Sequence, residues 1–507
     1  MMSNLAWGNS ICFSSPHYKS TVSGVNEHIL EKSNPFSLYS GAMKVGMSLF
    51  FNLPHLCGLG GDAIIMERNN GEISAINGTG KTGTYQNVTS YESKGLKHIP
   101  RRGIYSTMIY GAPYAFDMLA RKRDIDLKRI TETLIADDFN RGFVKIPQID
   151  KLFNKAELEL SETTEMNEWR MLFDGEKRIN HSFIDMMRRV STEGFLDLYK
   201  GKLGDEIYTQ LAKYDNKLYS ESDFLNFMPN YSEVRTMRFM ECNVFCHGAN
   251  SPWRELFLFL KIYELFAKKN KKIDYAKICN LAPYIEEKAI YIDPGIINYA
   301  DKIEETAISL FNMVEDNFLD EKDIINKQSH TIFIAGVNQN GDLIGITNSI
   351  FTPLGALFEV KNTGILLSNR CYAFNERRKG DDFRSHSPVK HTNNCVIVES
   401  DDISFVIGTS GGPVQSQTLS FIINKIMAEE FQPYEAIKEP RFANMGYHPK
   451  TKEITYLTEM EGLGKPFVCT NGLSDKLGVV QMAGINKVNG LLFSISDPRG
   501  YGVALGY

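Results

Sequence analysis

The 507-residue chain holds no run approaching the roughly 18 consecutive apolar residues that span a bilayer. Its longest candidate, Met43 to Leu53, is too short and carries Lys44. Residues 1–15 lack a basic start followed by an apolar stretch, so no secretory signal is legible and the cytoplasm is the expected compartment. Cysteine is sparse, with eight residues scattered along the chain. The closest pair, Cys242 and Cys246 with His247 next, has the wrong spacing for haem attachment and lacks a second ligand pair for zinc. Reduced, mostly buried thiols follow, and neither a metal nor another cofactor is expected. An excess of one charge is also missing: 56 Lys and Arg stand against 61 Asp and Glu, both signs mixed, which leaves no nucleic-acid footprint. The clusters Arg121-Lys122-Arg123 and Lys268-Lys269-Asn270-Lys271-Lys272 are short and read as solvated helix ends or loops. Repeats and low-complexity segments are absent as well.

What is present is ordinary globular material, 43% hydrophobic and 23% charged, in three textures. Residues 1–115 mix short apolar runs with the turns Gly58-Leu59-Gly60-Gly61-Asp62 and Gly78-Thr79-Gly80, predicting strands with one or two helices, Gly41 to Leu53 among them. Residues 116–325 are poor in glycine and rich in Lys, Glu, Leu and Ile. Helical spacing over Trp253 to Lys268 and Ile303 to Phe318 makes that block mainly helical. From Thr331 onward hairpins dominate. Ile332 to Val337 reads as a buried strand, Asn338-Gln339-Asn340-Gly341 as its turn, and Leu343 to Thr347 as the returning strand. Two more hairpins turn at Ser400-Asp401-Asp402 and Val488-Asn489-Gly490. Between them Leu419, Ile422, Ile423, Ile426 and Met427 mark one face of a helix that begins just after Gly411-Gly412. Hairpins packed against helices give an α+β class built in layers.

One local motif misleads. Ala75 to Thr82 fits a relaxed phosphate-loop pattern ending Gly80-Lys81-Thr82, but that chemistry needs a helix directly after the loop to meet the phosphates. Gly83-Thr84-Tyr85-Gln86-Asn87 is a poor helix start, so a nucleotide site is not expected.

Thr331 is an unremarkable strand residue by itself, since threonine favours strands. Its surroundings single it out. Thr331 to Ser349, Asn362 to Asn369, Ile407 to Gly412, Asp497 to Tyr507 and Pro54 to Asp62 resemble, in the same order, the segments of the gamma-glutamyltranspeptidase family. The resemblance spans nearly the whole chain and is weakest in the helical middle. It implies a four-layer αββα sandwich of the N-terminal-nucleophile hydrolase type. It also implies cleavage of the His330–Thr331 bond, leaving a large subunit (1–330) and a small one (331–507) that stay together. Thr331 would be the nucleophile, its freed α-amine the base. Ser349 matches a family Thr that orients the nucleophile, and Gly411 and Gly412 match the oxyanion-binding positions. The implied partner is a small-molecule amide, with no nucleic acid or membrane; a further oligomer stays open.

The chain departs from the family's grip on the glutamyl head group. The carboxylate-binding Arg falls at Thr79, the amine-binding Asp at Ala373, a substrate-contacting Asn at Phe351, and the paired serines at His391-Thr392. The His two residues after the nucleophile becomes Phe333. A buried ammonium without its carboxylate keeps its desolvation penalty, so a γ-glutamyl head group should bind poorly. These segments are similar to the acylase-like branch, in which Lys81 or Arg370 would be the groups left to meet a substrate carboxylate. Three readings follow: a self-processing hydrolase or acyltransferase of drifted acyl specificity, a true γ-glutamyl hydrolase/transpeptidase acting on glutathione-like substrates, and an unprocessed homologue retained for binding.

Overall fold

The computed structural model describes residues 4–31, 34–160, 163–175, 178–229, 233–248, 250–269, 273–292, 298–315, 331–376, 383–447, 454–463 and 467–507. Two antiparallel sheets lie face to face. The six-stranded sheet runs in the order Val503–Gly506, Ile11–Ser15, Ile332–Asn338, Leu343–Ser349, Asp62–Asn69, Glu72–Gly78. The seven-stranded sheet runs Leu5–Gly8, Leu492–Ser496, Val480–Asn486, Ile403–Thr409, Val396–Glu399, Cys242–His247, Val234–Phe239.

Side-chain alternation sorts each strand between two cores. Ile332 and Ile334 face the helices Tyr18–Leu30 and Ser37–Asn52, whereas Phe333, Ala335 and Val337 face the opposite sheet. The strand is buried on both faces, which is why it reads as a continuous apolar run. On the far side, Val396 and Val398 pack under helices Trp253–Lys268, Tyr299–Glu315 and Gln415–Met427, while Ile397 and Val406 close the inter-sheet core. Helix, sheet, sheet and helix make the four layers.

The structure sharpens three expectations. The middle block is helical except for the hairpin Val234–Phe239 and Cys242–His247, which forms an edge of the seven-stranded sheet. The 121–123 cluster is not simply solvated: Arg123 is buried, stacks 4.1 Å from the Tyr39 ring centroid, and pairs at 2.9 Å with buried Glu67, which Lys122 also contacts. A strand carboxylate aimed at the helix end draws Arg123 inward, while Lys122 reaches it from the surface. Helix Tyr299–Glu315 begins before the predicted segment, and residues 316–318 lie outside the described residues, as do 270–272 of the second basic cluster. Among the described residues no helix is long and apolar enough to cross a membrane. The eight cysteines are free, and only Cys469 is exposed.

Candidate active site

Thr331 stands at the head of an interior strand of the six-stranded sheet, 3% exposed. The pairing Ile332↔Asn348 leaves Thr331 level with Ser349 on the neighbouring strand, and Ser349 pairs with Asp62 on the next. Ala63↔Gly78 brings Thr79 level with Asp62 on the fourth. Side chains two residues further on, Phe333 and Ile64, line the gap between the sheets, so Thr331, Ser349, Asp62 and Thr79 form one polar row at its mouth.

The opposite sheet supplies the facing wall. The Thr331 hydroxyl donates to Asn393 Oδ1 at 3.2 Å. The next residue, Asn394, donates its N–H to the side-chain Oε1 of Gln415 (2.9 Å) and its Nδ2–H to Ser416 Oγ (3.1 Å). Both partners open the helix that follows Gly411-Gly412, so the segment touching Thr331 is tied to the glycine loop. Gly411 and Gly412 have φ of 119° and 59°, a left-handed path that a side chain would strain. The close approach of the sheets has a second requirement. A Cβ on Gly408 would lie 2.2 Å from the Phe333 ring, and one on Gly345 2.8 Å from it. Phe333 is therefore a wedge filling a slot shaped by two glycines, and a histidine's polar ring would have to be buried there.

Ser349 is fully buried, and its hydroxyl accepts the N–H of Phe351 at 3.0 Å. Phe351 has φ 74°, and Leu354 and Leu357 are also positive at 64° and 54°. Such a cluster in bulky residues persists only where surroundings hold it. Here Leu354 N–H donates to His55 O (2.8 Å), and Arg102 bonds Thr352 Oγ1 (2.8 Å) and Pro353 O (3.0 Å). Asn369 Oδ1 receives Thr352 N–H (3.1 Å) and hydroxyl (2.9 Å). Behind Phe351, Arg370 Nε pairs with Asp62 Oδ2 at 3.0 Å and its guanidinium stacks 4.5 Å from the Phe351 ring centroid. Asp62 Oδ1 also receives Gly80 N–H at 2.7 Å. Burial raises the Asp62 carboxyl above its ordinary pKa, while Arg370 and the Gly80 N–H pull it back.

The remaining expected positions divide. Thr79 and His391 are joined through Asn250, which lies 3.4 Å from the Thr79 hydroxyl and accepts His391 N–H at 2.8 Å. Thr392 follows, half-buried. Ala373 is 7% exposed and packs in the large apolar core. Lys81 is half-buried, and desolvation lowers its pKa. Its backbone pairs with Ile109 rather than opening a helix, so the phosphate-loop match has no helical partner. His330 lies outside the described residues. The sequence carried no local signal for Asn393 or for the Asp62–Arg370 pair, whose partners are 62 and 308 residues apart. Among the described residues no group of three or more His, Cys, Asp or Glu forms a metal site.

Comparison with known proteins covers most of the chain. The gamma-glutamyltranspeptidase family model matches residues 45–507. The glutathione hydrolase-like YwrD proenzyme of Bacillus subtilis is 23% identical, over 97% of each chain. Cephalosporin acylase from Bacillus halodurans shares the fold with a TM-score of 0.80 at 16% identity, over 100% of this chain and 97% of that one.

Proposed function

The chain belongs to the gamma-glutamyltranspeptidase family, and from that premise we propose that it is a self-processing amide hydrolase and acyltransferase with Thr331 as nucleophile. The observation that carries the reading is the Thr331 hydroxyl, buried at the head of its strand, bonded to Asn393 and level with Ser349. The Thr331 hydroxyl attacks the His330 carbonyl, the amide C–N bond breaks, and the nitrogen takes the hydroxyl proton. Water then hydrolyses the ester, leaving a carboxylate on His330 and a free amine on Thr331. That amine has an ordinary pKa of about 7.7–8.0, suited to accept a proton near neutral pH.

In turnover the hydroxyl gives its proton to the amine and attacks the substrate amide. The proton passes to the leaving nitrogen, and the acyl group remains as an ester on Thr331. Water or an acceptor amine, deprotonated by the same α-amine, releases it. The N–H groups of Gly411 and Gly412 stabilise the oxyanion at each stage, a contribution of about 2.7–4 kcal/mol per donor. Asn393 orients the hydroxyl, and Ser349 steadies the strand end beside it.

Its acyl specificity differs from γ-glutamyl transfer. Ala373 is packed in apolar core and Thr79 is neutral, so the amine and carboxylate of that head group lack their charged partners. The name of the Bacillus subtilis relative, glutathione hydrolase-like, favours the rival reading of a γ-glutamyl hydrolase. A denaturing gel tests the core of the proposal: fragments 1–330 and 331–507 are expected, the smaller beginning Thr-Ile-Phe-Ile, with a single band for Thr331→Ala. Freshly purified wild type that stays full length sinks it and favours the unprocessed binding homologue.

A further inference from the structure

The row that begins at Thr331 ends in charge. Strands lie about 4.8 Å apart, so Asp62, two strands from Thr331, sits about 10 Å away along the gap mouth. That is within reach of the far end of a short acyl chain held as an ester on Thr331. What it meets there is a pair already matched. Arg370 and Asp62 are 1% and 3% exposed, bonded at 3.0 Å, with the other carboxylate oxygen holding Gly80 N–H and the guanidinium face covered by Phe351. The strained Phe351 backbone is fixed by the Ser349 hydroxyl, the residue beside the nucleophile.

A carboxylate arriving at this wall must compete with Asp62 for Arg370, and an ammonium must compete with Arg370 for Asp62. Either exchange leaves one buried charge without its partner. An uncharged chain end makes no such demand and gains apolar contact with Phe351. Resting on the Thr331 reading above, we infer that Asp62, Arg370 and Phe351 form an internally neutralised specificity wall, selecting acyl groups that are uncharged at their far end.

The test uses the processed enzyme and three para-nitroanilides of matched chain length: pentanoyl, glutaryl and γ-L-glutamyl. Wild type should favour pentanoyl over both charged compounds by about tenfold or more in kcat/KM. Asp62→Asn, which removes the competitor for Arg370, should raise the glutaryl-to-pentanoyl ratio about tenfold, a shift that a merely structural role would not produce. The neutral pair Asp62→Asn with Arg370→Gln should return the ratio to that of wild type. Should the single variant fail to accumulate, the wild-type ranking and the double variant still decide. Glutaryl or γ-glutamyl turnover equal to or above pentanoyl in wild type overturns the wall and leaves the Thr331 reading standing. So does an unmoved ratio in Asp62→Asn, or an elevated one in the double variant. A protein that neither self-cleaves nor releases nitroaniline from any of the three overturns the reading beneath the wall, and the wall with it.

Discussion

Two buried guanidinium–carboxylate clusters, one at the gap mouth and one near the C-terminus, use the same chemistry for different ends. Among the described residues, the pair at the mouth joins Arg370 and Asp62 with one backbone N–H and an aromatic face. The other is a lattice. Asp497 accepts Arg441 at 2.6 Å and Arg499 at 3.2 Å, and Arg499 Nε donates to Glu459 at 2.7 Å. Ile437, Gly478 and Glu439 carbonyls take further guanidinium protons at 2.9, 2.8 and 2.9 Å, and Val480 N–H donates to Asp497. A lattice bonded so heavily to backbone welds segments together. On the proposal above, the pair two strands from Thr331 instead sets what an acyl group held there meets. The C-terminal Asp-Pro-Arg segment is thus a structural fastener, although its chemistry resembles that of a site.

Breaking each cluster should give different readouts. The largest effect is expected from Arg441→Met, which takes from Asp497 one of its two guanidinium partners and strips the bonds to the Ile437, Leu477 and Gly478 carbonyls. Urea unfolding should show a loss of about 3–5 kcal/mol with the acyl ranking unchanged. A change in ranking would merge the two clusters into one functional unit. Glu359 sharpens the contrast as a buried carboxylate without a cation partner among the described residues. Desolvation pushes its pKa up to about 7, against the N–H groups of Trp169 and Glu168. A folded-state pKa above the unfolded value means stability present at low pH and lost as pH rises from about 4.5 through 7. Glu359→Gln should therefore stabilise by about 2–3 kcal/mol at pH 8 and by little at pH 4, read from paired melts. Equal effects at both pH values would remove the charge explanation. The smallest expected effect is apolar: Gly408→Ala pushes a methyl at Phe333, costing about 1–3 kcal/mol. If the slot positions the strand that carries Thr331, kcat should fall more than KM rises, whichever substrate is used.

The layered fold was legible wherever local pattern and burial coincide. Ile332 to Val337 followed by Asn338-Gln339-Asn340-Gly341 announces a hairpin, and the Asn338 side chain does hold Asp342 N–H at 3.0 Å. The hairpin from Val234 to His247 was not legible because its turn, Met240-Glu241, lacks glycine or asparagine and lies in a block whose other segments carry helical spacing. Met240 takes the left-handed φ of 47° without the residue type that would signal it. At the site, Thr331, Ser349, Gly411 and Gly412 were readable as motif positions. Asn393 and the Asp62–Arg370 pair were not, because only the register of strands distant in sequence brings them to the mouth.

The strand order has a consequence for any cut at 330–331. In the six-stranded sheet, strands from before and after that bond alternate: Val503–Gly506, then Ile11–Ser15, then Ile332–Asn338, with Asp62–Asn69 beyond Leu343–Ser349. In the seven-stranded sheet, Leu5–Gly8 and Cys242–His247 flank strands from the later piece on both sides. The pieces are woven like fingers of clasped hands, with no face along which one could slide off the other. A cleaved molecule is a nicked monomer rather than a docked dimer, and halves made separately would have to fold around each other rather than meet as finished parts.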